Sequence, residues 1–462
     1  MRTPLPRTLA NKTAFVLMCA VVVFTAVAYG AVHQPVMALV YILLGVMLIL
    51  WAADGHATGS LRLDPTLLPL PILAAAIYGL FQTIRFGSVG EIGGVSGISR
   101  TISLDPFATR VTVLHLFGLL LFFTVSLTLL DTAARIRRLV IIITVFGFVY
   151  SFYAILQAVL SPNKIYGIYE RIGAIPFGSF VNRHNFAGYM EMTMALPLGL
   201  LFVGAIAKDK RLLFVTAIAL MGIALLLSGS RGGFVAFIAE VIFLTIVTST
   251  ARSGRKFYLK VGLVVLLVAA IVGGSFFVGG ESSLTRLAEA PGSENVTSDR
   301  SHIWSVTFKV IAENMPLGAG LGSFGTAYTK HDNRSGLERV EQAHNDYLQI
   351  AADAGIVGIL LAIFFLVVLF RTGLKAIKTE NLYRRGVAAG ALAGCFAILI
   401  HSLFDFILHT TAITVLFLVL ITLIVASKNK YDDDTEDIES KKKRKRSSTV
   451  ASISAPTRRS LP

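Results

Sequence analysis

Blocks of about twenty apolar residues recur along this chain, and they limit its fold more than any other feature. A helix of that length spans the hydrocarbon core of a bilayer. Helices are the expected spanning elements, because every backbone polar group in lipid must be satisfied within its own segment. Only 15% of the residues are charged, whereas a soluble domain has about 25%. The sequence therefore predicts an all-α fold, a polytopic integral membrane helical bundle.

We count twelve apolar segments, each placed to within about four residues. They cover 13–32, 36–53, 67–84, 111–130, 139–160, 186–207, 212–228, 232–249, 259–278, 355–370, 386–404 and 410–426. Basic residues precede the first segment, as they do in a signal peptide, but this segment is longer than a typical signal-peptide core and further spans follow it. We therefore interpret it as an uncleaved first helix.

Lys and Arg crowd every second loop of this arrangement, and this sets its predicted orientation. The basic loops contain Arg2, Arg7 and Lys12; Arg135, Arg137 and Arg138; Lys208, Lys210 and Arg211; Arg252, Arg255 and Lys256; and Arg371, Lys375, Lys378, Arg384 and Arg385. Such loops stay on the cytoplasmic side. Both termini are therefore predicted to be cytoplasmic, with the long loops 85–110, 161–185 and 279–354 on the opposite face.

The chain divides into four predicted regions. Residues 1–278 hold the first nine transmembrane helices, 279–354 a large extracytoplasmic loop, 355–426 the last three helices, and 427–462 a basic tail. The tail combines an aspartate run with a Lys/Arg run, a composition that cannot bury a core. We predict a disordered cytoplasmic tail that either attracts anionic lipid headgroups or anchors the topology.

The large loop is predicted to hold helices of its own. Apolar residues recur at helical spacing over 301–314, where Ser298 or Asp299 could provide the N-cap. The recurring residues are Ile303, Trp304, Thr307, Val310 and Ile311. Pro316 and the glycines at 318, 320 and 322 are expected to end this helix in a turn-rich segment. A second helix is expected to begin near Val340, with Glu341, His344, Tyr347 and Leu348 on one face.

Three polar clusters are predicted to share the extracytoplasmic face. They are Gln342 to Ile350, Asn182 to Gly188, and Ser228 to Gly233. Arg231 is the sole charge in a tight turn where the positive-inside rule disfavours arginine. Its fork of donors suits phosphate, and the adjacent glycines would let backbone amides approach an anion. The alternatives are helix capping at His344 and Asp346, snorkelling of Arg231 to lipid phosphates, and a solvated loop end at Arg183 and His184.

Several ionisable groups lie deeper in the apolar segments. They are Glu191, Glu240, His401, Asp405 and His409. His401 and Asp405 are four residues apart and could meet on one helical face. A proton or ion pathway would use such groups, but for His401 and Asp405 we favour interhelical polar contacts.

Cysteine usage and net charge exclude other classes of protein. Cys19 and Cys395 both lie in apolar segments, which suggests neither a disulfide framework nor a metal site. The net charge of +15 comes largely from the basic loops and the tail, so we expect no nucleic-acid partner.

The order of the polar motifs resembles one family. The residues that carry the resemblance are Asn182-Arg183-His184-Asn185-Phe186-Ala187-Gly188; Ser228-Gly229-Ser230-Arg231-Gly232; Arg300, Ile303-Trp304, Asn314, Pro316-Leu317-Gly318, Gly320-Leu321-Gly322 and Phe324; and His344-Asn345-Asp346-Tyr347-Leu348-Gln349 with Gly355. Over about 140–405 the chain resembles the O-antigen ligase and polymerase superfamily of bacterial inner-membrane glycan transferases. That resemblance implies a helical bundle with a large periplasmic loop.

The resemblance also implies a reaction and its participants. The donor is a glycan on undecaprenyl diphosphate, and the acceptor is a lipid A-core sugar, another repeat unit or a protein hydroxyl. Neither a cofactor nor a metal is implied. The family's functional arginines and histidine fall on Arg231, Arg183 and His344, while His184 departs from the pattern of many relatives.

The expected site follows from these positions. His344 and Asp346 are the predicted catalytic group, with Asp346 orienting His344; Arg231, Arg183, Ser230 and Gly232 are predicted to bind diphosphate; and His184, Arg300, Asn345 and Tyr347 are predicted to support them. Arginines stabilise the charge that develops on a leaving diphosphate. Histidine is the natural base near neutral pH for the acceptor hydroxyl. We expect direct displacement with inversion.

Competing interpretations remain at the level of the sequence. A repeat-unit polymerase or a protein O-oligosaccharyltransferase would use the same donor with another acceptor. A lipid-linked glycan transporter would need ionisable groups deep in several helices and an internal repeat. A non-catalytic assembly scaffold would tolerate the loss of His344 and Arg231.

Overall fold

The computed structural model describes residues 8–88, 91–92, 95–162, 164–170, 175–249, 262, 296–334 and 340–428. Within these residues the α-helices are α1 (Leu9–Val27), α2 (Gln34–Thr58), α3 (Pro69–Gln82), α4 (Pro106–Leu129), α5 (Ala133–Leu160), α6 (Arg183–Val203), α7 (Arg211–Leu227), α8 (Arg231–Thr248), α9 (Val296–Asn314), α10 (Phe324–Thr329), α11 (Asp346–Ala376), α12 (Leu382–His401) and α13 (Thr411–Lys428). Single-turn 3₁₀ helices lie at Tyr29–Ala31, Lys208–Lys210 and Ile407–His409. A two-stranded antiparallel hairpin pairs β1 (Glu91–Ile92) with β2 (Val95–Ser96).

The predicted helical membrane bundle is confirmed. Ten helices of the described chain are long and apolar enough to cross a membrane, and each coincides with one predicted segment. The predicted segment 67–84 contains the shorter apolar helix α3. The predicted segment 259–278 lies outside the described residues apart from residue 262, as does the tail beyond residue 428.

Helices α6, α12 and α13 form the centre of the bundle. Helices α6 and α13 are almost entirely buried, and α12 is mostly buried. The backbones of α6 and α12 approach closely at Gly199, Gly386 and Gly390, where an added Cβ would overlap the backbone of the facing helix. Small residues spaced four apart permit such close packing of membrane helices. The two helices run antiparallel, and at the other end of this contact a Cβ added at Gly188 of α6 would lie 3.3 Å from Ile398 of α12.

The amphipathic helix predicted over 301–314 is confirmed as α9. Its residues Ile303, Val306 and Val310 are buried in a second apolar core together with Phe324 and Tyr328 of α10. The helix begins at Val296, ahead of Ser298 and Asp299, so the prediction that one of those residues is its N-cap is wrong.

The glycine-rich segment after α9 packs against a break in α11. Gly355 departs from helical geometry, with φ 58° and ψ −144°. The amide of Ile356 donates to the carbonyl of Pro316 at 3.0 Å, and the amide of Ala319 donates to the carbonyl of Ala352 at 2.8 Å. A Cβ at Gly318 would come within 2.5 Å of the Asp353 carbonyl oxygen. The segment thus holds the first part of α11 in place.

The second helix of the loop begins later than the sequence predicted. Helix α11 starts at Asp346 rather than near Val340, so Glu341 and His344 precede it. The side chain of Asn345 accepts from the amides of Tyr347 at 3.0 Å and Leu348 at 3.1 Å. An Asn cap of this kind ends the extended chain and starts the helix. The predicted shared helical face of these residues is therefore wrong.

Candidate functional site

Three helices begin at one end of the bundle, around the connection between α12 and α13. The N-caps of α6, α8 and α11 are Asn182, Ser230 and Asn345, and each caps through its side chain. The amide of Asp346 donates to the carbonyl of Ser402 at 3.0 Å. The three polar clusters and the turn at 402–410 thus lie on one face of the bundle. This agrees with the prediction that the clusters lie on the same side of the membrane.

Asp405 lies at the centre of these polar groups and is almost fully buried. Its Oδ1 lies 3.1 Å from Nδ1 of His344, and its Oδ2 accepts from Nη2 of Arg300 at 3.2 Å. Nδ1 of His184 lies 3.8 Å from the same Oδ2. Burial would raise the pKa of Asp405, but the hydrogen bond from His344 and the positive charge of Arg300 outweigh it and hold that pKa well below its usual range. Asp405 is therefore a carboxylate at neutral pH.

His344 is held in a defined pose beside this carboxylate. Its backbone is left-handed, with φ 50°, a conformation that non-glycine residues seldom adopt outside constrained sites. The ring of Phe406 meets the imidazole edge-on at 4.8 Å between centroids. Next to it, the indole N–H of Trp304 donates to the carbonyl of Ala343 at 3.0 Å. One third of the His344 side chain remains exposed, so the ring is accessible.

The arginine turn lies beside this group. Ser230 Oγ is 2.9 Å from Nδ1 of His184 and also accepts from the amide of Gly233 at 3.2 Å. A Cβ added at Gly229 would lie 3.5 Å from Nη1 of Arg183, which brings that guanidinium against the turn. Arg231 is the first residue of α8 and is exposed. Two helix N-termini, each bearing an arginine, therefore lie next to each other.

Asp346 does not have the place that the sequence predicted for it. Its Oδ1 is 3.0 Å from Nδ1 of His409, and its Oδ2 accepts from the hydroxyl of Ser402 at 2.8 Å and the amide of Leu408 at 3.1 Å. Its carboxylate thus braces the 402–410 connection, and the carboxylate that contacts His344 is Asp405. That Asp346 belongs to the catalytic group stays a prediction. In this geometry it would act indirectly, by holding the connection that carries Asp405.

Three other predicted residues have local structural contacts. Asn345 caps α11 and also donates to the carbonyl of Leu403 at 2.9 Å. The hydroxyl of Tyr347 donates to the carbonyl of Leu399 at 2.8 Å. A Cβ added at Gly232 would lie 3.0 Å from the His401 ring. These residues hold α8, α11 and α12 together around the site.

Asp405 is a residue of the site that was not predicted from the sequence. Asp405, His401 and His409 stood out as ionisable groups in apolar segments, but for Asp405 and His401 plain interhelical contacts were favoured. The available signal was position, since a carboxylate in a short turn between two apolar segments lies on the same predicted face as His344 and Arg231.

The fold and the site together define a multi-pass membrane protein with a histidine, carboxylate and arginine cluster at one end of its helical bundle. Residues 216–363 match the family model described as O-antigen ligase. This match, over about a third of the chain, supports the resemblance to the O-antigen ligase and polymerase superfamily. The matched range contains Ser230, Arg231, Arg300 and His344, whereas Asp405 lies beyond it. No curated protein matches the chain.

Proposed function

We propose that this protein transfers a polysaccharide or oligosaccharide from undecaprenyl diphosphate to an acceptor hydroxyl of the lipid A-core type. The observation that carries the proposal is the His344–Asp405 contact of 3.1 Å next to two arginine-bearing helix N-termini. The family supports glycan ligase or polymerase chemistry in general. The proposed reaction uses neither a nucleotide sugar nor a metal.

The diphosphate would bind where α6 and α8 begin. Helix N-termini carry a partial positive charge and uncapped amides, which favours anions. Arg183 and Arg231 add guanidinium groups that can each contact two phosphate oxygens. Negative charge grows on the diphosphate as the sugar C–O bond breaks, so these contacts strengthen in the transition state and lower the barrier.

His344 would act as the general base. Its Nδ1 faces Asp405, so Nε2 is the nitrogen that takes the proton of the acceptor hydroxyl. The acceptor oxygen bonds to the anomeric carbon, the bond from that carbon to the phosphate oxygen breaks, and the diphosphate leaves with the electron pair. Asp405 stabilises the imidazolium that forms, as a buried carboxylate does for other catalytic histidines.

The orientation of the site follows from the charge pattern. We propose a bacterial inner membrane location, both termini in the cytoplasm and residues 279–354 in the periplasm. A thiol introduced by Ser293→Cys should react with an impermeant reagent added outside spheroplasts. Labelling that requires access to the cytoplasm contradicts this orientation.

A repeat-unit polymerase is the second candidate, since it uses the same donor chemistry with a glycan acceptor, and a protein O-oligosaccharyltransferase is a third. The test is transfer in proteoliposomes that contain an undecaprenyl diphosphate-linked glycan and, separately, a lipid A-core, a second glycan or a protein acceptor. A product on lipid A-core supports the ligase. A lengthened glycan or a glycosylated protein identifies the other activities, and no product with any acceptor contradicts the proposal.

A further inference from the structure

The two glycines after Arg231 face the interior of the bundle. A Cβ added at Gly232 would lie 3.0 Å from the His401 ring, and one added at Gly233 would lie 3.0 Å from Oε1 of Glu191. The sequence predicted that the glycines of this turn expose amides to an anion. Their contacts show another consequence of their small size: the start of α8 can approach two ionisable groups within the membrane bundle.

Glu191 and His401 form a fully buried pair. Oε1 of Glu191 lies 2.9 Å from Nδ1 of His401, and both side chains have no exposed area. Glu240 of α8 is also fully buried and interacts electrostatically with Glu191. Among the described residues, both carboxyl oxygens of Glu240 lack a hydrogen-bond partner. An unpaired carboxyl in such a place is neutral, which leaves Glu191 and His401 to share a proton.

Ser230 connects this buried pair to the site. Its Oγ lies 3.5 Å from Nε2 of His401, at the outer limit of a hydrogen bond, and 2.9 Å from Nδ1 of His184. A serine hydroxyl has one proton, so it can donate to only one of the two rings. The proton on His401 therefore determines which nitrogen of His184 carries a proton.

We propose that Glu191 and His401 are a positioning pair that keeps the proton of His184 on Nε2, from which His184 donates to the lipid diphosphate. The proposal rests on the proposed function. His401, protonated on both nitrogens, donates through Nδ1 to Glu191 and through Nε2 to Ser230. The Ser230 hydroxyl then donates to Nδ1 of His184. A neutral His401 with its proton on Nδ1 would instead accept from the Ser230 hydroxyl through Nε2. The Ser230 oxygen would then accept from Nδ1 of His184, so that the His184 proton would lie on Nδ1.

Glu191 favours a protonated His401, because its Oε1 lies 2.9 Å from Nδ1 of that ring. Asp405 lies in the turn that follows His401, and its amide donates to the carbonyl of His401 at 3.2 Å. The attraction between the Glu191 carboxylate and a proton on His401 is little screened inside a protein.

Burial is the main reason why a second proton on His184 is unfavourable. The guanidinium groups of Arg183 and Arg300 and the ring of His401 add to this effect. Asp405 attracts such a proton, but its Oδ2 is 3.8 Å from Nδ1 of His184, too far for a hydrogen bond. The direction in which the Ser230 hydroxyl points therefore decides which nitrogen of His184 carries its single proton.

The first test reads the tautomer directly and needs no turnover. Solid-state NMR of ¹⁵N-histidine-labelled protein in proteoliposomes, with the His184 signals assigned from a His184→Asn sample, should show the proton on Nε2. Glu191→Gln should move it to Nδ1, because a neutral amide no longer holds a proton on His401. Glu240→Gln, which removes a second buried carboxyl without a hydrogen bond to His401, should leave it on Nε2. An unchanged His184 tautomer in Glu191→Gln overturns the proposal.

The second test measures kcat and KM for the undecaprenyl diphosphate donor. Glu191→Gln should lower kcat about 10–100-fold, by analogy with the loss of the hydrogen-bonding partner behind a metal-ligating histidine. Glu191→Asp should recover part of the loss, and Glu240→Gln should behave like the wild type. Normal turnover per folded molecule in Glu191→Gln also overturns the proposal.

The two tests separate this proposal from the proposed function. Wild-type protein that transfers no glycan from any lipid diphosphate refutes the function, while the NMR comparison still decides the role of the pair. A pH titration of the wild type serves as the second measurement if Glu191→Gln does not fold. Raising the pH until His401 is neutral should move the His184 proton to Nδ1, and a His184 proton that stays on Nε2 overturns the proposal.

Discussion

Oδ1 of Asp405 lies 3.1 Å from Nδ1 of His344, although 61 residues separate them in the chain. His344 belongs to the segment that leads into α11, and Asp405 to the turn between α12 and α13. The contact therefore exists only when the large loop is docked on the bundle. Asp405 is buried and also accepts a hydrogen bond from Arg300, which holds its carboxylate in place. It can therefore orient the imidazole of His344 and stabilise the positive charge that forms on it.

Asp405→Asn should lower glycan transfer about 10²–10⁴-fold, the range that a positioned base contributes. An amide keeps the shape of the carboxylate but cannot stabilise the imidazolium. The measurement is turnover per folded molecule. Asp332→Asn is the matched control, since Asp332 is also paired with a histidine, His302 at 2.9 Å, but within the loop. Equal effects of the two changes would show that Asp405 has no special role.

His344→Gln should reduce kcat more than it weakens donor binding, because a base acts mainly in the transition state. Binding of the lipid diphosphate and transfer should be measured on the same preparation. Asp346→Asn should cause a smaller loss of turnover than His344→Gln and a lower melting temperature, since Asp346 holds His409, Ser402 and Leu408. Normal turnover of His344→Gln would remove His344 from the mechanism.

Local signals explain what the sequence predicted well. Apolar blocks, basic loops and capping residues such as Asn182 and Ser230 are all short-range features, and they located the helices and their common face. The start of α11 was wrong because the helical spacing of Glu341, His344 and Tyr347 suggested a helix, whereas the Asn345 cap sets its beginning. Helical spacing of side chains does not show whether a capping residue within the segment starts the helix later.

The partner of His344 depended on packing between distant segments. Asp346 is two residues from His344 and was the nearest carboxylate in the sequence, but a helix start directs it to His409. Asp405 reaches His344 because α12 packs closely on α6 and ends beside α11. That placement depends on Gly199, Gly386 and Gly390, and no single-sequence pattern states which helices they join.

Gly390→Leu should destabilise the bundle. An added side chain would enter the contact between α12 and Ala195 of α6, and overpacking of a well-packed core costs about 1–3 kcal/mol or more. The melting temperature in detergent should fall clearly. Gly45→Leu in α2 is the control, because no atom of the described residues lies within 4 Å of a Cβ at Gly45. Similar melting temperatures for both variants would contradict the close approach of α6 and α12.

His409 should make stability depend on pH. Partial burial lowers the pKa of His409, but its hydrogen bond to Asp346 and the charge of that carboxylate raise it above 6.5 overall. A raised folded-state pKa adds stability that is complete below the unfolded-state value and is lost as the pH rises through the folded-state value. The melting temperature should therefore fall from pH 6 upward, by less in His409→Gln. The same fall in both proteins would exclude His409 as its source.

Arg231→Ala should lower transfer roughly 10²–10³-fold, the cost of removing one donor that stabilises developing charge. Arg231 starts α8 directly after Ser230, beside the turn that Arg183 approaches, so its guanidinium is placed for the diphosphate. Arg231→Lys should recover only part of the activity, because an ammonium group cannot contact two phosphate oxygens as a fork does. Arg100→Ala is the control for loss of an exposed arginine in a predicted periplasmic loop. Transfer at the wild-type rate by inserted Arg231→Ala protein would show that the turn does not bind the donor, and full recovery in Arg231→Lys would show that charge alone suffices.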